Sequence, residues 1–420
     1  MTHLTESRFY DSDANLHVLY DGKIYDRQKA GGINRYFEKL IDHLPDSVTP
    51  SITLTRNTRQ NFPTNSKLQR HVFDFSMPKP FRKLSRSIQA IYFESVRREI
   101  QPDLMHLTYY DSLSRHEKAT DGIPLVLTVH DMIHERYPDL LDRRGRHAAL
   151  KKNAIRRADA IICVSQKTQS DLLDLYPECE SRSTVIHHAT DFGKVTPDKW
   201  QPTPDRPYFL YVGSQVSYKN FDGLLQAFHQ IVKRKPEIQL RVAGPDFRKH
   251  EEESIAVLGL ENHVFNHGLV DDCRLSSMYR NSLAFIYPSL YEGFGLPLLE
   301  AMSCETPVIA SNTSCIPEVV ADAALLFDPG SKSDLVEAIS FVIDNPGIRK
   351  QFIEDGKVRC NEFSWEKTAA QTSEVYRHTA GVNQAIQASG LKIFNPDAEP
   401  ASQPQFNTSE TFSSQQKRAA

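Results

Sequence analysis

Tyr287-Pro288-Ser289-Leu290-Tyr291-Glu292-Gly293-Phe294-Gly295-Leu296-Pro297-Leu298-Leu299-Glu300-Ala301-Met302 is the most informative stretch of the 420-residue chain. The apolar run ending at Tyr287 reads as a buried strand, and the next residues as a glycine-bearing loop. A helix follows from about Pro297, because proline suits a first helical turn. Gly293 and Gly295 let the backbone approach a ligand and expose their amides. Such amides at the start of a helix stabilise a phosphate. Glu292 lies in the loop and Glu300 one turn into the helix, so the two carboxylates can reach opposite ends of one elongated molecule. Carboxylates beside an anion site make chemical sense if the ligand also offers hydroxyls, as a sugar and a ribose do. A buried strand, turn and helix with two ordinary surface glutamates is the simpler reading of the same letters.

Outward from this stretch, short apolar strands alternate with amphipathic helices, the pattern of parallel α/β units. In the back half, strands are expected at Tyr208 to Val212, Gln239 to Ala243, Ala284 to Tyr287 and Pro307 to Ala310. Phe221, Leu224, Leu225, Phe228, Ile231 and Val232 are spaced for one helical face. In the front half, Leu16 to Tyr20 reads as a strand ending in the turn signal Asp21-Gly22. Ile33, Tyr36, Phe37, Leu40, Ile41 and Leu44 share one face of the helix that follows. Leu125 to Val129 and Ala160 to Val164 are near-continuous apolar runs, suited to strands covered on both faces. Between the halves, Asp191 to Pro207 carries four prolines and reads as a linker. The expected organisation is a flexible tail over 1–15, a first domain over 16–200, a second over 201–362, a helix over 363–380 and a second flexible tail over 381–420.

Composition narrows the function class. A formal net charge of -3 points away from nucleic-acid binding, and residues 1–200 are slightly basic while the remainder is acidic. No apolar run reaches the roughly 18 to 20 residues that span a bilayer, and Met1 to Asn15 does not resemble a signal peptide. The expected address is the cytoplasm, and the two Asn-x-Ser/Thr tripeptides, Asn312-Thr313-Ser314 and Asn407-Thr408-Ser409, are accidental on that reading. The six cysteines contain no C-x-x-C pair and read as buried residues or free thiols. Two basic amphipathic stretches, Lys79 to Arg98 and Arg143 to Arg157, could lie on the inner face of an anionic membrane or simply be solvated helix faces.

Further candidates sit after strands. Lys219, in Gly213-Ser214-Gln215-Val216-Ser217-Tyr218-Lys219-Asn220, lies in a strand-to-helix turn where a cation can neutralise a diphosphate, helped by the start of the helix behind it. Ala30-Gly31-Gly32-Ile33-Asn34-Arg35-Tyr36 opens the first amphipathic helix, but it matches neither G-x-G-x-x-G nor a Walker loop. His130, in Thr128-Val129-His130-Asp131, follows a buried strand and could hydrogen-bond a transferred sugar or assist at an acceptor hydroxyl. Asp11-Ser12-Asp13 looks like a metal-binding D-x-D but falls in the expected tail, and Asp271-Asp272 is more simply a helix cap. No metal and no cofactor are assigned.

Glu292-Gly293-Phe294-Gly295-Leu296-Pro297 and Glu300-Ala301-Met302 resemble the E-x7-E signature of glycosyltransferase family 4, a retaining family with the GT-B fold. The likeness extends through Pro307 to Ser311 and Ile316-Pro317-Glu318-Val319-Val320, and more weakly over residues 16 to 380. It implies two doubly wound Rossmann-like domains facing a central cleft, with the helix after Trp365 returning to the first domain. It also implies that Glu292 contacts the donor hexose and Glu300 the ribose, while Phe294 and Gly295, with the neighbouring Gly293 and Leu296, meet the sugar and diphosphate. Lys219, with Gly213 and Ser214, corresponds to the family's phosphate-binding turn. That turn departs from many members, which carry an arginine after the glycine or before the lysine. Gly31 and Gly32 resemble the loop that closes over the diphosphate, and His130-Asp131 a position beside the reaction centre. The implied activity is transfer of a hexose from a nucleotide sugar to a glycan or lipid-linked acceptor. GDP-mannose is favoured because Gly31 to Phe37 looks mannosyltransferase-like, and UDP-glucose is next. A GT-B epimerase or phosphorylase and an inactive sugar-nucleotide-binding subunit are the rival readings.

Overall fold

The computed structural model describes residues 15–28, 31–55, 62–73, 82–110, 123–200 and 206–381. The expected tails other than Asn15 and Gly381, with Asp11-Ser12-Asp13, Ala30, Lys79, Phe81 and the prolines at 202 and 204, lie outside the described residues. Two compact units emerge. Among the described residues, the first runs to Val164 and adds Thr168–His187 and the chain from Trp365 to Gly381; the second is His188–Ser364 with Ser165–Lys167.

The strands of the first unit are β1 (Leu16–Tyr20), β2 (Val48–Thr55), β3 (Gln69–Phe73), β4 (Leu104–Leu107), β5 (Leu125–Val129), β6 (Ala160–Cys163) and β7 (Ser183–Val185). They form one parallel sheet in the order β3-β2-β1-β4-β5-β6-β7. In the second unit, β8 (Tyr208–Val212), β9 (Gln239–Ala243), β10 (Val264–Asn266), β11 (Ala284–Tyr287), β12 (Val308–Ser311) and β13 (Leu325–Phe327) are also all parallel, in the order β10-β9-β8-β11-β12-β13. Each order reverses once, between β1 and β4 and between β8 and β11. In such sheets the loops at the carboxyl ends of the reversing strands open a crevice for ligands.

Strands β5, β11 and β12 are buried along their whole length, as near-continuous apolar runs should be when helices cover both faces. Strands whose letters lack that pattern are the ones sequence reading passes over. Strand β2 holds Pro50, which lies opposite Val18 although it has no N–H to donate. Strands β7, β10 and β13 are only three residues long.

The boundary between units falls at His187/His188, ahead of the residue 200 expected from the prolines. The segment that reads as a linker is anchored to the second unit. Asp198 pairs with Arg274 at 2.5 Å, its carbonyl accepts from Ser277 Oγ at 2.7 Å, and the Trp200 ring stands edge-on to Tyr208. Composition signals a loop; it does not signal a carboxylate and an indole with partners waiting.

The helix Trp365–Thr379 belongs to the first unit. Its Tyr376 hydroxyl lies 2.9 Å from that of Tyr20 and 2.6 Å from His106 Nδ1. His106 Nε2 meets Thr128 Oγ1 at 2.9 Å, and Thr128 Oγ1 meets the Tyr36 hydroxyl at 3.1 Å. All five side chains are buried, so this chain of hydrogen bonds satisfies polar groups that would otherwise be costly inside the unit. Burial first, with His130 adding, holds the His106 imidazole down to about 3.

His106 is therefore neutral in the fold and takes up a proton more readily when unfolded, so stability is present above pH 6.5 and is lost as pH falls towards 4. The loss expected from this group over that window is roughly 3 kcal/mol. Thermal unfolding followed from pH 7 to pH 4 should show a shallower decline for His106→Asn than for the unmodified chain; parallel declines would remove His106 as the cause.

Candidate functional site

The second unit brings the strongest sequence candidates together at its strand reversal. After β8 the chain passes Gly213, whose φ of +135° favours glycine, makes a single 3-10 turn over Ser217–Lys219, and enters the helix Phe221–Arg234. After β11 it passes Glu292 and Gly293 to Gly295, the residue that caps the helix Leu296–Ser303. Gly295 has a φ of +98°, and a Cβ there would lie 2.8 Å from Leu298 Cδ1. Glycine is demanded at that point by the backbone itself. Because β8 and β11 are neighbours, the two loops meet. Leu290 N donates to Tyr218 O at 2.7 Å, and Lys219 Nζ donates to Glu292 Oε1 at 2.5 Å.

The ion pair is largely shielded, with side-chain exposures of 16% for Lys219 and 12% for Glu292. The Tyr287 and Tyr218 rings lie 5.4 and 5.6 Å from the ammonium, within range of a cation–π attraction. Burial alone would lower the Lys219 pKa, but the Glu292 carboxylate outweighs it and holds the ammonium above its ordinary range. Burial, then Glu292, pushes the Tyr287 phenol well up, so it stays protonated.

The other predicted residues of this unit take distinct places. Glu300 is buried in the helix Leu296–Ser303 and accepts from the Tyr279 hydroxyl at 3.3 Å. The Phe294 ring packs edge-on to Phe363 and His188, so it is committed to the core, and contact with a donor at this position would come from the backbone. Leu296 is the first residue of the helix. Ser214 O accepts from the Tyr211 hydroxyl at 2.7 Å. No arginine follows Gly213, but one does reach this turn from elsewhere: Arg248 Nη2 donates to Gln215 O at 3.3 Å while pairing with Glu251. Asp271 caps the helix Asp272–Arg280, accepting from Arg274 N at 2.8 Å.

In the first unit, Gly31 precedes the helix Gly32–Asp42 with extended backbone, and a Cβ on it would meet only the movable tip of Gln28. The local fold does not require glycine there. His130, at the carboxyl end of β5, stands edge-on to the Tyr36 ring, and its N donates to the Tyr110 hydroxyl at 3.3 Å. Burial, reinforced by Lys151, holds its imidazole down to about 4, against the pull of Asp131. It is therefore a neutral hydrogen-bonding group near pH 7 and a weak base. Lys151, buried, donates to Asp131 O at 2.8 Å and to Glu135 Oε2 at 2.9 Å, which fixes the loop bearing His130. Asp21, read from sequence as a turn residue, is buried at the end of β1. Its Oδ1 accepts from Thr108 N and Oγ1 at 2.9 and 2.5 Å, and burial raises its carboxyl to about 6.

All six cysteines are unpaired. Among the described residues no three His, Cys, Asp or Glu side chains converge on a common point, and no helix is long and apolar enough to cross a membrane.

Each unit is thus built on a Rossmann-like parallel sheet, and the second carries a lysine and a carboxylate at its strand reversal. Residues 30–194 match the family model described as Glycosyltransferase Family 4, and residues 194–359 that described as Glycosyl transferases group 1. The chain is 32% identical over 232 residues to the O-antigen chain mannosyltransferase B of Escherichia coli, a match covering 52% of this chain and 61% of that protein. It is 31% identical over 303 residues to the alpha-maltose-1-phosphate synthase of Mycolicibacterium smegmatis, covering 64% and 77%. Among solved structures, sucrose-phosphate synthase from Thermosynechococcus elongatus superposes with a TM-score of 0.70 at 22% identity, over 87% of this chain and 98% of that one. Anabaena HepE in complex with UDP and glucose gives 0.66 at 18% identity, over 85% and 98%. The chain belongs to glycosyltransferase family 4. It is a hexosyltransferase that uses a nucleotide-sugar donor.

Removing one member of the Lys219–Glu292 pair leaves a shielded charge without its partner, a change that costs on the order of 3 kcal/mol in buried settings. Lys219→Met should lower the melting temperature, and the double variant Lys219→Met/Glu292→Gln should recover much of the loss. Simple addition of the two single effects would show that the pair is not coupled.

Proposed function

We propose that the chain transfers a hexose, with retention of anomeric configuration, from a nucleotide sugar to a hydroxyl of a glycan or lipid-linked acceptor. GDP-mannose is the favoured donor and UDP-glucose the next. The observation that carries this reading is the contact between Lys219 and Glu292 across the loops after β8 and β11. It places a cation for phosphate and a carboxylate for hydroxyls side by side, as a sugar diphosphate needs. Glu300, on the helix that follows the Glu292 loop, is assigned to the ribose. Likeness to the Escherichia coli mannosyltransferase supports a mannosyl donor, and the fold shared with HepE, solved in complex with UDP-glucose, keeps UDP-glucose next.

On this reading the pair is exchanged when the donor arrives. A diphosphate is a stronger partner for Lys219 than one carboxylate, so Glu292 is released to accept from hexose hydroxyls. Charge on the departing diphosphate is then met by Lys219, the loop amides and the start of the helix Leu296–Ser303, a preorganised arrangement that acts on charge developing in the transition state. Gly31 and Gly32 are assigned to the diphosphate on the strength of the family resemblance of their loop, and neutral His130 to a hydrogen bond with the transferred sugar. The exposed Arg146, Lys152 and Arg156 on the helix Arg146–Arg157 support a peripheral contact with anionic lipid. Arg97, by contrast, is buried against Glu94 and does not join such a face. An epimerase or an inactive binding subunit would share the nucleotide site but not transfer to an acceptor.

A thermal-shift screen against UDP- and GDP-hexoses should find a matching donor, and Lys219→Ala should abolish stabilisation by its nucleoside diphosphate. Glu292→Gln should keep or tighten nucleoside diphosphate binding, because Lys219 is then free of its partner, while lowering the transfer rate on the order of 10²-fold. Loss of nucleotide binding in Glu292→Gln would contradict the exchange. Because no metal is assigned to the leaving group, chelator treatment should leave the transfer rate within about twofold; loss of activity restored by a divalent cation would reverse that assignment.

A further inference from the structure

The turn between β12 and the helix Ile316–Val320 meets the Glu292 loop in a regular register. Thr313 Oγ1 donates to Leu290 O at 3.0 Å, Ser314 Oγ to Glu292 O at 2.7 Å, and Cys315 Sγ to Phe294 O at 3.1 Å. Three consecutive side chains thus engage carbonyls along the loop, and Cys315 Sγ also donates to Glu292 O at 3.2 Å. Ser314 does more, since its Oγ also accepts from Glu292 N at 3.2 Å. One hydroxyl holds both backbone polar groups of the residue whose carboxylate faces Lys219.

Two features separate this from ordinary loop packing. Ser314 adopts a φ of +57°, a left-handed conformation that costs a residue with a Cβ about 1 kcal/mol. Glycine would suit that backbone better, but glycine has no hydroxyl. Cys315, fully buried, has its thiol pushed well above the ordinary range by burial first and then by the Glu292 and Glu318 carboxylates. It stays an S–H, able to donate and poorly suited to act as a nucleophile.

We propose that Ser314 is the positioning residue for Glu292, with Thr313 and Cys315 holding the loop on either side, so that this turn sets how the enzyme reads the hexose of its donor. The proposal rests on the assignment of Glu292 to the hexose and of Lys219 to the diphosphate. It goes further in predicting that the two halves of the donor respond separately to one substitution. Ser314→Gly relieves the left-handed strain and removes both Ser314 hydrogen bonds, leaving Glu292 N without a side-chain acceptor and Glu292 O with the Cys315 thiol. Cys315→Ser keeps a donor in place, whereas Cys315→Ala does not.

The experiment is calorimetric titration with a panel of UDP- and GDP-hexoses and with UDP and GDP alone, accompanied by melting temperatures. In Ser314→Gly, the ratio of sugar-nucleotide to nucleotide affinity should fall about tenfold, the worth of a well-formed hydrogen bond or two. The nucleotide itself should bind within about twofold of its original affinity, and the melting temperature should not drop. Cys315→Ala should shift the ratio in the same direction, and Cys315→Ser should restore it. Equal loss of both ligands, or loss of neither, in Ser314→Gly overturns the proposal while leaving the site assignment standing. If no sugar nucleotide of the panel binds the unmodified chain, or if Lys219→Ala binds UDP and GDP undiminished, the assignment itself falls and the proposal with it.

Discussion

The contact between Lys219 and Glu292 is the constraint around which the second unit is arranged. Two opposite charges withdrawn from water are tolerated only when each has the other and when surrounding groups hold them together. Every nearby element contributes to that. Adjacent parallel strands β8 and β11 deliver the loops, Leu290 N and Tyr218 O tie them, and the Tyr287 and Tyr218 rings flank the ammonium. Gly213 and Gly295 allow the chain to turn where a side chain would be strained or would collide.

On the proposed reading, a shielded pair of this kind is also a store of binding specificity. Lys219 is neutralised by Glu292, so an isolated anion must displace a carboxylate to reach it. A molecule offering both a diphosphate and hydroxyls meets both partners at once and leaves neither unpaired. On the same proposed reading, the turn Thr313-Ser314-Cys315 adds backbone rigidity to that selectivity, because the position of a carboxylate matters more than its presence when the donors are fixed hydroxyls. The first unit follows the same sheet plan with different chemistry. Its interior holds a chain of neutral hydrogen bonds from Tyr20 through Tyr376 and His106 to Thr128 and Tyr36, which fastens the helix Trp365–Thr379 to a sheet far from it in sequence. His130 is kept neutral beside that interior.

Much of the fold was legible in the letters, because burial on both faces of a parallel sheet demands continuous apolar runs. Strands β1, β5, β8 and β11 announce themselves that way, and the helices beginning at Gly32 and Phe221 by their apolar faces. Strand β2, carrying Pro50, and the three-residue strands do not, since their identity comes from pairing with neighbours. Glu292, Glu300 and Lys219 stood out by residue type, spacing and place after a strand. Ser314 did not. Within Asn312-Thr313-Ser314 it looked like a chance glycosylation tripeptide, and nothing local indicates that its hydroxyl meets a backbone more than twenty residues earlier.

By itself, then, the order of amino acids determined the two α/β series, the glycines that permit close turns and the charged groups available at strand ends, because periodicity, backbone freedom and charge are local properties. Tertiary structure alone decided that Lys219 pairs with Glu292, that Asp198 and Trp200 join the second unit, that Asp21 and His106 are stripped of water, and that Ser314 grips the loop. Each of these depends on which distant residues strand pairing and helix packing bring into hydrogen-bonding range, and on how much water they exclude.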